Sequence, residues 1–208
     1  MKTLAEQLAK VVTTLRKEKI RFAMAGGLAA SLYREQERMT KDLDLLFVAD
    51  ANTEQKATHL IATFGLRPMT LRIAELRGGP MHQIKRQNSE VAMICGVPKE
   101  GSGDIQVDFL LPPVPWFEIA LNRSEKNLID FGCGKIPCLM VEDVILSKLY
   151  ALDNRSTRFK DLDDLQSIFR ANTPLDLVYL VDRMKSLKLA IPSALDTEAP
   201  AVLRKLRR

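Results

Sequence analysis

The feature that most restricts the fold is a short apolar segment that ends in two glycines and is followed closely by a second apolar segment. Residues 20–25 form the first segment and lead directly into Gly26 and Gly27, and residues 43–48 form the second. Apolar runs this short, bounded by glycine or by charged residues, are typical of buried strands. Because residues 28–34 fit a short helix, the sequence predicts a strand, a helix and a strand arranged around the glycine pair.

Strand-like and helical patterns continue along the rest of the chain. Strand-like segments occupy 81–87, 90–97 and 104–111, and apolar residues at helical spacing lie before and after them. The other predicted elements are an opening helix from residue 4, helices over 53–64, 116–121, 141–153, 157–170 and 174–187, and a hairpin over 128–138. We therefore expect an α/β (α+β) fold in which a mixed sheet of four or five strands is flanked by helices and followed by a helical C-terminal region.

Composition is that of an ordinary soluble globular protein and excludes several classes. Hydrophobic residues make up 46% and charged residues 27% of the 208 positions. The three cysteines form no CxxC pair and only two histidines are present, which favours free thiols in a reducing compartment over a disulfide framework or a zinc site. No stretch approaches the roughly 18 apolar residues of a membrane span. We expect a cytoplasmic protein that has no contact with a membrane.

Two carboxylates lie at the start of the second apolar segment. The net charge of the chain suits an anionic ligand. Asp42 and Asp44 are two residues apart, so in a strand they share one face while Leu43 and Leu45 point into the core. Carboxylates this close repel each other unless a cation lies between them, and Mg²⁺ is a hard cation that takes oxygen ligands. The net charge of +5 suits a polyanion such as a triphosphate or a nucleic acid.

A third carboxylate lies on a later predicted strand. In this strand Ile105, Val107 and Phe109 occupy one face and leave Asp108 on the other. An acid in an otherwise apolar strand needs a partner, which a metal ion would supply. Asp108 and the two earlier carboxylates would then form a metal site that clamps the attacking and leaving oxygens of a transfer reaction. Asp108 is also a candidate general base.

Two charged residues fall on apolar faces of the predicted C-terminal helices. Lys148 lies four residues from both Val144 and Leu152, and Asp161 aligns with Leu165 on the next helix. A lysine on a buried face requires an anion, which a ligand phosphate would provide. The alternative is a snorkelling lysine that pairs with a structural aspartate and contacts no ligand.

These residues carry a resemblance to a known superfamily. Residues 26–31 (Gly-Gly-Leu-Ala-Ala-Ser) and 40–45 (Thr-Lys-Asp-Leu-Asp-Leu) resemble the first motif of the DNA-polymerase-β-like nucleotidyltransferases. Residues 148–165 are similar to the Lys, Arg, Asp-x-x-Asp-Leu segment of the abortive-infection (AbiEii-type) nucleotidyltransferases, the toxins of bacterial toxin–antitoxin pairs. Together the matches span residues 22–165.

The resemblance implies a nucleotide site. Gly26 and Gly27 would cradle the triphosphate at the start of a helix, and Ser31 belongs to the same nucleotide-binding motif. Lys148 would contact phosphate or base, with Asp161 supporting it. Many members carry Gly-Ser where this chain has Gly26 and Gly27, so a hydroxyl that binds phosphate is missing here.

The resemblance also implies a magnesium site and a reaction. Asp42 and Asp44 would bind Mg²⁺, and Asp108 matches the third carboxylate of the superfamily by its order and context. The implied reaction transfers a nucleoside monophosphate from a nucleoside triphosphate such as ATP to an acceptor hydroxyl. Residues 1–138 would form the catalytic domain and residues 139–208 a helical region packed on it.

The identity of the acceptor and the partners stays open at the level of sequence. A transfer RNA end or other RNA, a protein hydroxyl and a small molecule are all compatible with the resemblance, and the basic charge leans slightly to RNA. An antitoxin partner would accompany a toxin. The alternative reading is a non-catalytic module that keeps the fold and binds a nucleotide or a protein.

Several other polar side chains lie near the matched segments. Tyr33, Arg34 and Arg38 fall between the two halves of the first motif, within possible reach of a nucleotide. A run of basic residues at the junction of two predicted helices suits either substrate phosphates or solvent. The run consists of Arg155, Arg158 and Lys160. His82 fits an ordinary strand position better than a catalytic base.

Overall fold

Short apolar runs form the strands, as the sequence predicts. The structure is a computed structural model that describes residues 3–36, 38–49, 51–72, 90–154 and 157–206. The strands are β1 (Arg21–Met24), β2 (Asp42–Val48), β3 (Arg67–Arg72), β4 (Val91–Val97), β5 (Gln106–Leu110), β6 (Leu128–Asp130) and β7 (Lys135–Pro137).

Amphipathic segments form the helices. The first helix begins with a capping box, in which the side chains of Thr3 and Glu6 each accept a hydrogen bond from the other's backbone N–H. The helices are α1 (Leu4–Lys17), α2 (Gly26–Ser31), α3 (Thr53–Thr63), α4 (Phe117–Ser124), α5 (Val141–Asn154), α6 (Phe159–Arg170), α7 (Leu177–Ser186) and α8 (Ala201–Arg204), with a 3₁₀ turn at Ser193–Leu195.

In the part of the chain that the structure describes, the main sheet is mixed and has five strands in the order β1-β2-β5-β4-β3. Strands β2 and β5 pair in parallel, whereas the pairs β1 with β2, β5 with β4 and β4 with β3 are antiparallel. The hairpin of β6 and β7 joins the edge of this sheet through a bridge between Met24 and Cys138. The expected mixed sheet flanked by helices is therefore confirmed.

The alternation of side chains along the strands separates the core from a second, polar face. Leu43, Leu45 and Phe109 are fully buried on the core side. Phe109 stacks on Phe47 at 4.6 Å between ring centroids and meets the edge of Phe64 at 6.4 Å. The acidic residues of β2 and β5 alternate with these core residues and point to the opposite face.

Four elements differ from the sequence-based expectation. The predicted helix over 28–34 is placed too late, because α2 already begins at Gly26 and ends at Ser31. Strand β3 was not predicted, because its first four residues are exposed and it lies at the edge of the sheet, where no buried alternation marks it. The predicted strand over 81–87 lies outside the described residues. The 3₁₀ turn and α8 near the C-terminus were also not predicted.

One cluster of buried apolar side chains includes residues on both sides of the expected boundary at 138. Its members run from Leu8 in α1 to Leu203 in α8. The division into a catalytic domain over 1–138 and a helical region over 139–208 stays a prediction. Among the helices that the structure describes, none combines the length and the apolar character needed to cross a membrane.

Candidate functional site

A cavity of about 370 Å³ lies between the polar face of the sheet and helices α2, α5 and α6. Its lining includes seven of the eight residues that the sequence singled out. The seven are Gly26, Gly27, Asp42, Asp44, Asp108, Lys148 and Asp161. The eighth, Ser31, does not line the cavity, and its hydroxyl donates a hydrogen bond to the carbonyl oxygen of Leu28 at 2.7 Å. A nucleotide-binding role for Ser31 stays a prediction.

Gly26 allows the start of α2 to lie directly against Asp44. Its φ of 58° falls in the left-handed region that favours glycine. A Cβ atom at this position would lie 1.8 Å from Oδ2 of Asp44. Glycine is therefore required here both by the backbone conformation and by the close approach of the carboxylate.

Parallel pairing of β2 with β5 places three carboxylates on one side of the sheet. Asp44 lies opposite Asp108 in the register, and Asp42 lies opposite Gln106. Burial, followed by repulsion from Asp42 and Asp108, raises the pKa of Asp44 to about 7. Burial is also the main cause of the raised pKa of Asp108, and the charge of Asp42 adds to it.

The donor set of this acidic group suits a hard cation. Asp42 accepts a hydrogen bond from Oγ1 of Thr40 at 2.7 Å, and Oδ2 of Asp108 accepts one from Nε2 of Gln106 at 2.8 Å. Oδ1 of Asp108 is buried without a hydrogen-bond partner. Within the described ranges, no three His, Cys, Asp or Glu side chains form a ready-made metal-binding group. A Mg²⁺ ion would relieve both the repulsion and the unpaired oxygen, after the carboxylates reorient.

Lys148 reaches the cavity from α5 and is held by two aspartates of α6. Only 6% of the residue is exposed, and Nζ lies 2.7 Å from Asp161 and 2.8 Å from Asp164. Burial alone would lower the pKa of Lys148, but the two carboxylates outweigh burial and raise it. Lys148 is therefore buried and charged, and the anions beside it are two aspartates, as in the alternative of a lysine that pairs with a structural aspartate. Its role in ligand binding stays a prediction.

Asp164 is the centre of this ionic network, and the sequence did not identify it as a site residue. Its side chain is fully buried and accepts hydrogen bonds from Arg34 at 2.5 Å and from Arg38 at 2.7 and 2.8 Å, besides its contact with Lys148. Despite burial, the hydrogen bonds from Arg38 and Lys148 hold the pKa of Asp164 below its usual value. The sequence feature that could have identified Asp164 is its spacing of three residues from Asp161, which places both side chains on the same helical face.

The segment between α2 and β2 is fastened to α6 next to the glycine pair. Backbone N–H groups of Glu35 and Gln36 donate to the carbonyl oxygen and the hydroxyl of Ser167 at 3.2 and 3.3 Å. Arg38 in this segment lines the cavity. Residues 35 and 36 of this segment are thus hydrogen-bonded to α6.

The other polar residues considered from sequence have mixed positions. Tyr33 lies outside the cavity lining and donates its hydroxyl to the carbonyl oxygen of Leu139 at 2.9 Å. Arg158 and Lys160 line the cavity, and Arg158 pairs with Asp161 at 2.5 Å. Both Arg155 and His82 lie outside the described residues.

Comparison with known proteins gives a family and a fold. A family model described as "Nucleotidyl transferase AbiEii toxin, Type IV TA system" matches residues 12–199. No curated protein matches the chain significantly in sequence. Three solved structures are similar. Antibiotic-resistance factor ANT(2'')-Ia is 14% identical with a TM-score of 0.52, and the match covers 88% of this chain and 91% of that chain. An antigenic nucleotidyltransferase-like protein from Paracoccidioides brasiliensis is 16% identical with a TM-score of 0.49, and the match covers 95% of this chain and 94% of that chain. Lincomycin-bound lincosamide antibiotic adenylyltransferase LnuA is 16% identical with a TM-score of 0.44, and the match covers 78% of this chain and 96% of that chain.

Replacement of the buried network aspartate should destabilise the fold. The change Asp164→Asn leaves Arg34 and Lys148 buried beside a neutral side chain, and we expect it to lower the free energy of unfolding by about 3 kcal/mol at pH 7. Asp163→Asn is a matched control, because Asp163 pairs with the same Arg34 at 2.9 Å but its side chain is 60% exposed. The control should change the unfolding free energy by less than about 0.5 kcal/mol. Equal effects of the two variants in urea unfolding would contradict a central role for Asp164.

The ionised carboxylate of Asp44 should lower the free energy of unfolding of the metal-free protein. A native pKa of about 7 for Asp44, against 3.8 when unfolded, means that the native state binds more protons between these pH values. The free energy of unfolding then falls as pH rises through this range. Asp44→Asn should therefore stabilise the metal-free protein by about 2 kcal/mol at pH 8, and the gain should vanish near pH 4. Urea unfolding across this pH range measures it, and a variant less stable than the wild type at pH 8 would contradict it.

Proposed function

The chain belongs to the AbiEii nucleotidyl transferase toxin family, and from this premise we propose that its cavity binds a nucleoside triphosphate with Mg²⁺ and transfers the nucleoside monophosphate to an acceptor hydroxyl. The acceptor oxygen bonds to the α-phosphorus while the bond to the bridging oxygen of the β-phosphate breaks, which releases pyrophosphate. The observation that supports this most is the meeting of Gly26, Gly27, three carboxylates and Lys148 in one cavity.

The glycine pair and Lys148 form the proposed triphosphate side of the cavity. Gly26 and Gly27 line the cavity at the start of α2, and the start of a helix presents backbone N–H groups to an anion. Lys148 brings a positive charge from the facing helix, and Asp161 holds its ammonium group in place at 2.7 Å. A buried, oriented cation of this kind stabilises phosphate charge more strongly than a solvated one, because little water screens it.

The carboxylates form the proposed metal side. Asp42, Asp44 and Asp108 are the residues that would hold Mg²⁺, and the ion when bound would neutralise phosphate charge and lower the pKa of the acceptor hydroxyl. Asp44 must lose its proton to serve as a ligand, so its raised pKa makes binding weaker below about pH 7. Asp108, whose pKa is also raised, is suited to accept the proton of the acceptor hydroxyl.

The acceptor and the cellular role belong to the proposal as well. An RNA end, a protein hydroxyl or a small molecule would each present a hydroxyl to Asp108, and the net charge of +5 favours RNA slightly. We propose that the chain is the toxin of a toxin–antitoxin pair and has an antitoxin partner. Its three cysteines are free thiols, which agrees with action in the reducing cytoplasm.

Two features favour the alternative of a binding module without turnover. The three carboxylates are not arranged as a ready-made metal group, and position 27 has no hydroxyl. A module of this kind would bind the triphosphate without releasing pyrophosphate. One assay that measures pyrophosphate release from the bound triphosphate therefore distinguishes the two functions.

Loss of one carboxylate should abolish turnover. The assay incubates the protein with each labelled nucleoside triphosphate, Mg²⁺, and total cellular RNA or protein, and measures label transfer and pyrophosphate release. We expect Asp44→Asn to reduce both by at least about a hundredfold, because the ligand set and the charge that it holds are broken. Asp182→Asn is the control, since its exposed carboxylate lies on α7 outside the cavity lining. Undiminished transfer by Asp44→Asn would overturn the mechanism.

The proposed role as a toxin can be tested in cells. Expression of the wild-type chain should arrest growth, and Asp42→Ala should remove the arrest because a proposed metal ligand is lost. Co-expression of the product of the adjacent gene should restore growth if it encodes the antitoxin. Continued arrest by Asp42→Ala, at an expression level equal to that of the wild type, would contradict a toxic activity that depends on this site.

A further inference from the structure

The space beside Gly27 is occupied by two side chains from the segment that precedes β2. A Cβ atom built at Gly27 would lie 2.7 Å from Oγ1 of Thr40 and 3.2 Å from Nη2 of Arg38. A serine hydroxyl at this position would project into the same space. We propose that Arg38, with Thr40 beside it, is a triphosphate-binding residue of the site and presents hydrogen-bond donors where Gly27 offers none. This inference rests on the proposed function.

The guanidinium group of Arg38 has donors left for a ligand. Nε and Nη2 donate to the two oxygens of Asp164 at 2.7 and 2.8 Å, and Nη1 donates weakly to the carbonyl oxygen of Met39 at 3.4 Å. An arginine carries five N–H groups, so these bonds use three of them. Among the described residues, one N–H on Nη1 and one on Nη2 have no acceptor. Arg38 lines the cavity, and 21% of its side chain is exposed.

Asp164 fixes the orientation of this group. The two parallel hydrogen bonds define the plane of the guanidinium, so its free edge is held rather than mobile. The carboxylate is itself fully buried and is also held by Arg34 and Lys148. Less conformational entropy is lost when a ligand binds to a donor that is already oriented.

Arg38 belongs to a network of ion pairs at the glycine side of the cavity. The network contains four cations and three carboxylates, and the charge of Asp42 also acts on Arg38. The cations are Arg34, Arg38, Lys148 and Arg158, and the carboxylates are Asp161, Asp163 and Asp164. A planar guanidinium with two free N–H groups matches the oxygens of a phosphate chain.

Binding of inorganic tripolyphosphate in excess Mg²⁺, measured by calorimetry on the whole chain, tests the inference without an acceptor. We expect Arg38→Gln to weaken binding at least about tenfold, because a charge-assisted hydrogen bond in a sheltered site is lost. Arg21→Gln is the matched control, since Arg21 pairs with Glu125 on the surface and does not line the cavity. Wild-type affinity in Arg38→Gln would overturn the inference.

Calorimetry together with the turnover assay separates failure of the inference from failure of the proposed function. If the wild type transfers nucleotide while Arg38→Gln keeps wild-type affinity, the transferase assignment stands and the role of Arg38 is wrong. If Arg38→Gln loses tripolyphosphate affinity while the wild type shows no pyrophosphate release, Arg38 binds phosphate in a module without turnover.

A second set of variants tests the occupied space directly and leaves Arg38 unchanged. Gly27→Ser alone should weaken tripolyphosphate binding, because its Cβ displaces Thr40 and breaks the bond from Thr40 to Asp42. Gly27→Ser combined with Thr40→Ala removes the shortest contact, the one at 2.7 Å with Oγ1 of Thr40, and supplies a hydroxyl, so it should bind more tightly than Gly27→Ser. Stronger binding by Gly27→Ser alone than by the wild type would overturn the inference.

Discussion

Parallel pairing of β2 with β5 is the constraint on which the site depends. It sets Asp44 opposite Asp108, while the alternate residues Leu43, Leu45 and Phe109 are driven into the core on the other face. A slip of one residue in either strand would turn its acids into the core and expose its apolar residues to the cavity. The packing of the core therefore fixes the positions of the carboxylates on the opposite face.

The cavity joins an acidic region, where negative charge is unfavourable, to a second region where cations stabilise a buried carboxylate. On β2 and β5, burial and then repulsion from Asp42 and Asp108 raise the pKa of Asp44 to about 7. On α5 and α6 the carboxylate of Asp164 is surrounded by cations, and its pKa is lowered. A ligand made of a metal ion and a polyphosphate carries both charges and complements both regions. The unfavourable electrostatic energy of the acids on β2 and β5 is a local cost of the kind that proteins retain at functional sites.

Local rules predicted much of this site, and the failures have physical reasons. The period of two along a strand was enough to place Asp108 on the face opposite Phe109, and the period of the helix was enough to place Lys148 on a buried face. The role of Asp164 depends on Arg34 and Arg38, which are more than 120 positions away in sequence, and no periodicity reports such contacts. The start of α2 at Gly26 was missed because glycine is a poor helix former, and only the contact with Asp44 shows why it is needed.

The order of the strands also bears on where an acceptor would lie. Attacking and leaving oxygens lie roughly in line across the phosphorus, so if pyrophosphate leaves near Gly26, the acceptor approaches from the side of Asp108 and β4. There Cys95 lies opposite Asp108, and Met93 lies opposite Leu110, so the described floor of the cavity changes from acidic to apolar. An acceptor hydroxyl at this border would meet a carboxylate next to a surface of low polarity, where water screens their interaction least.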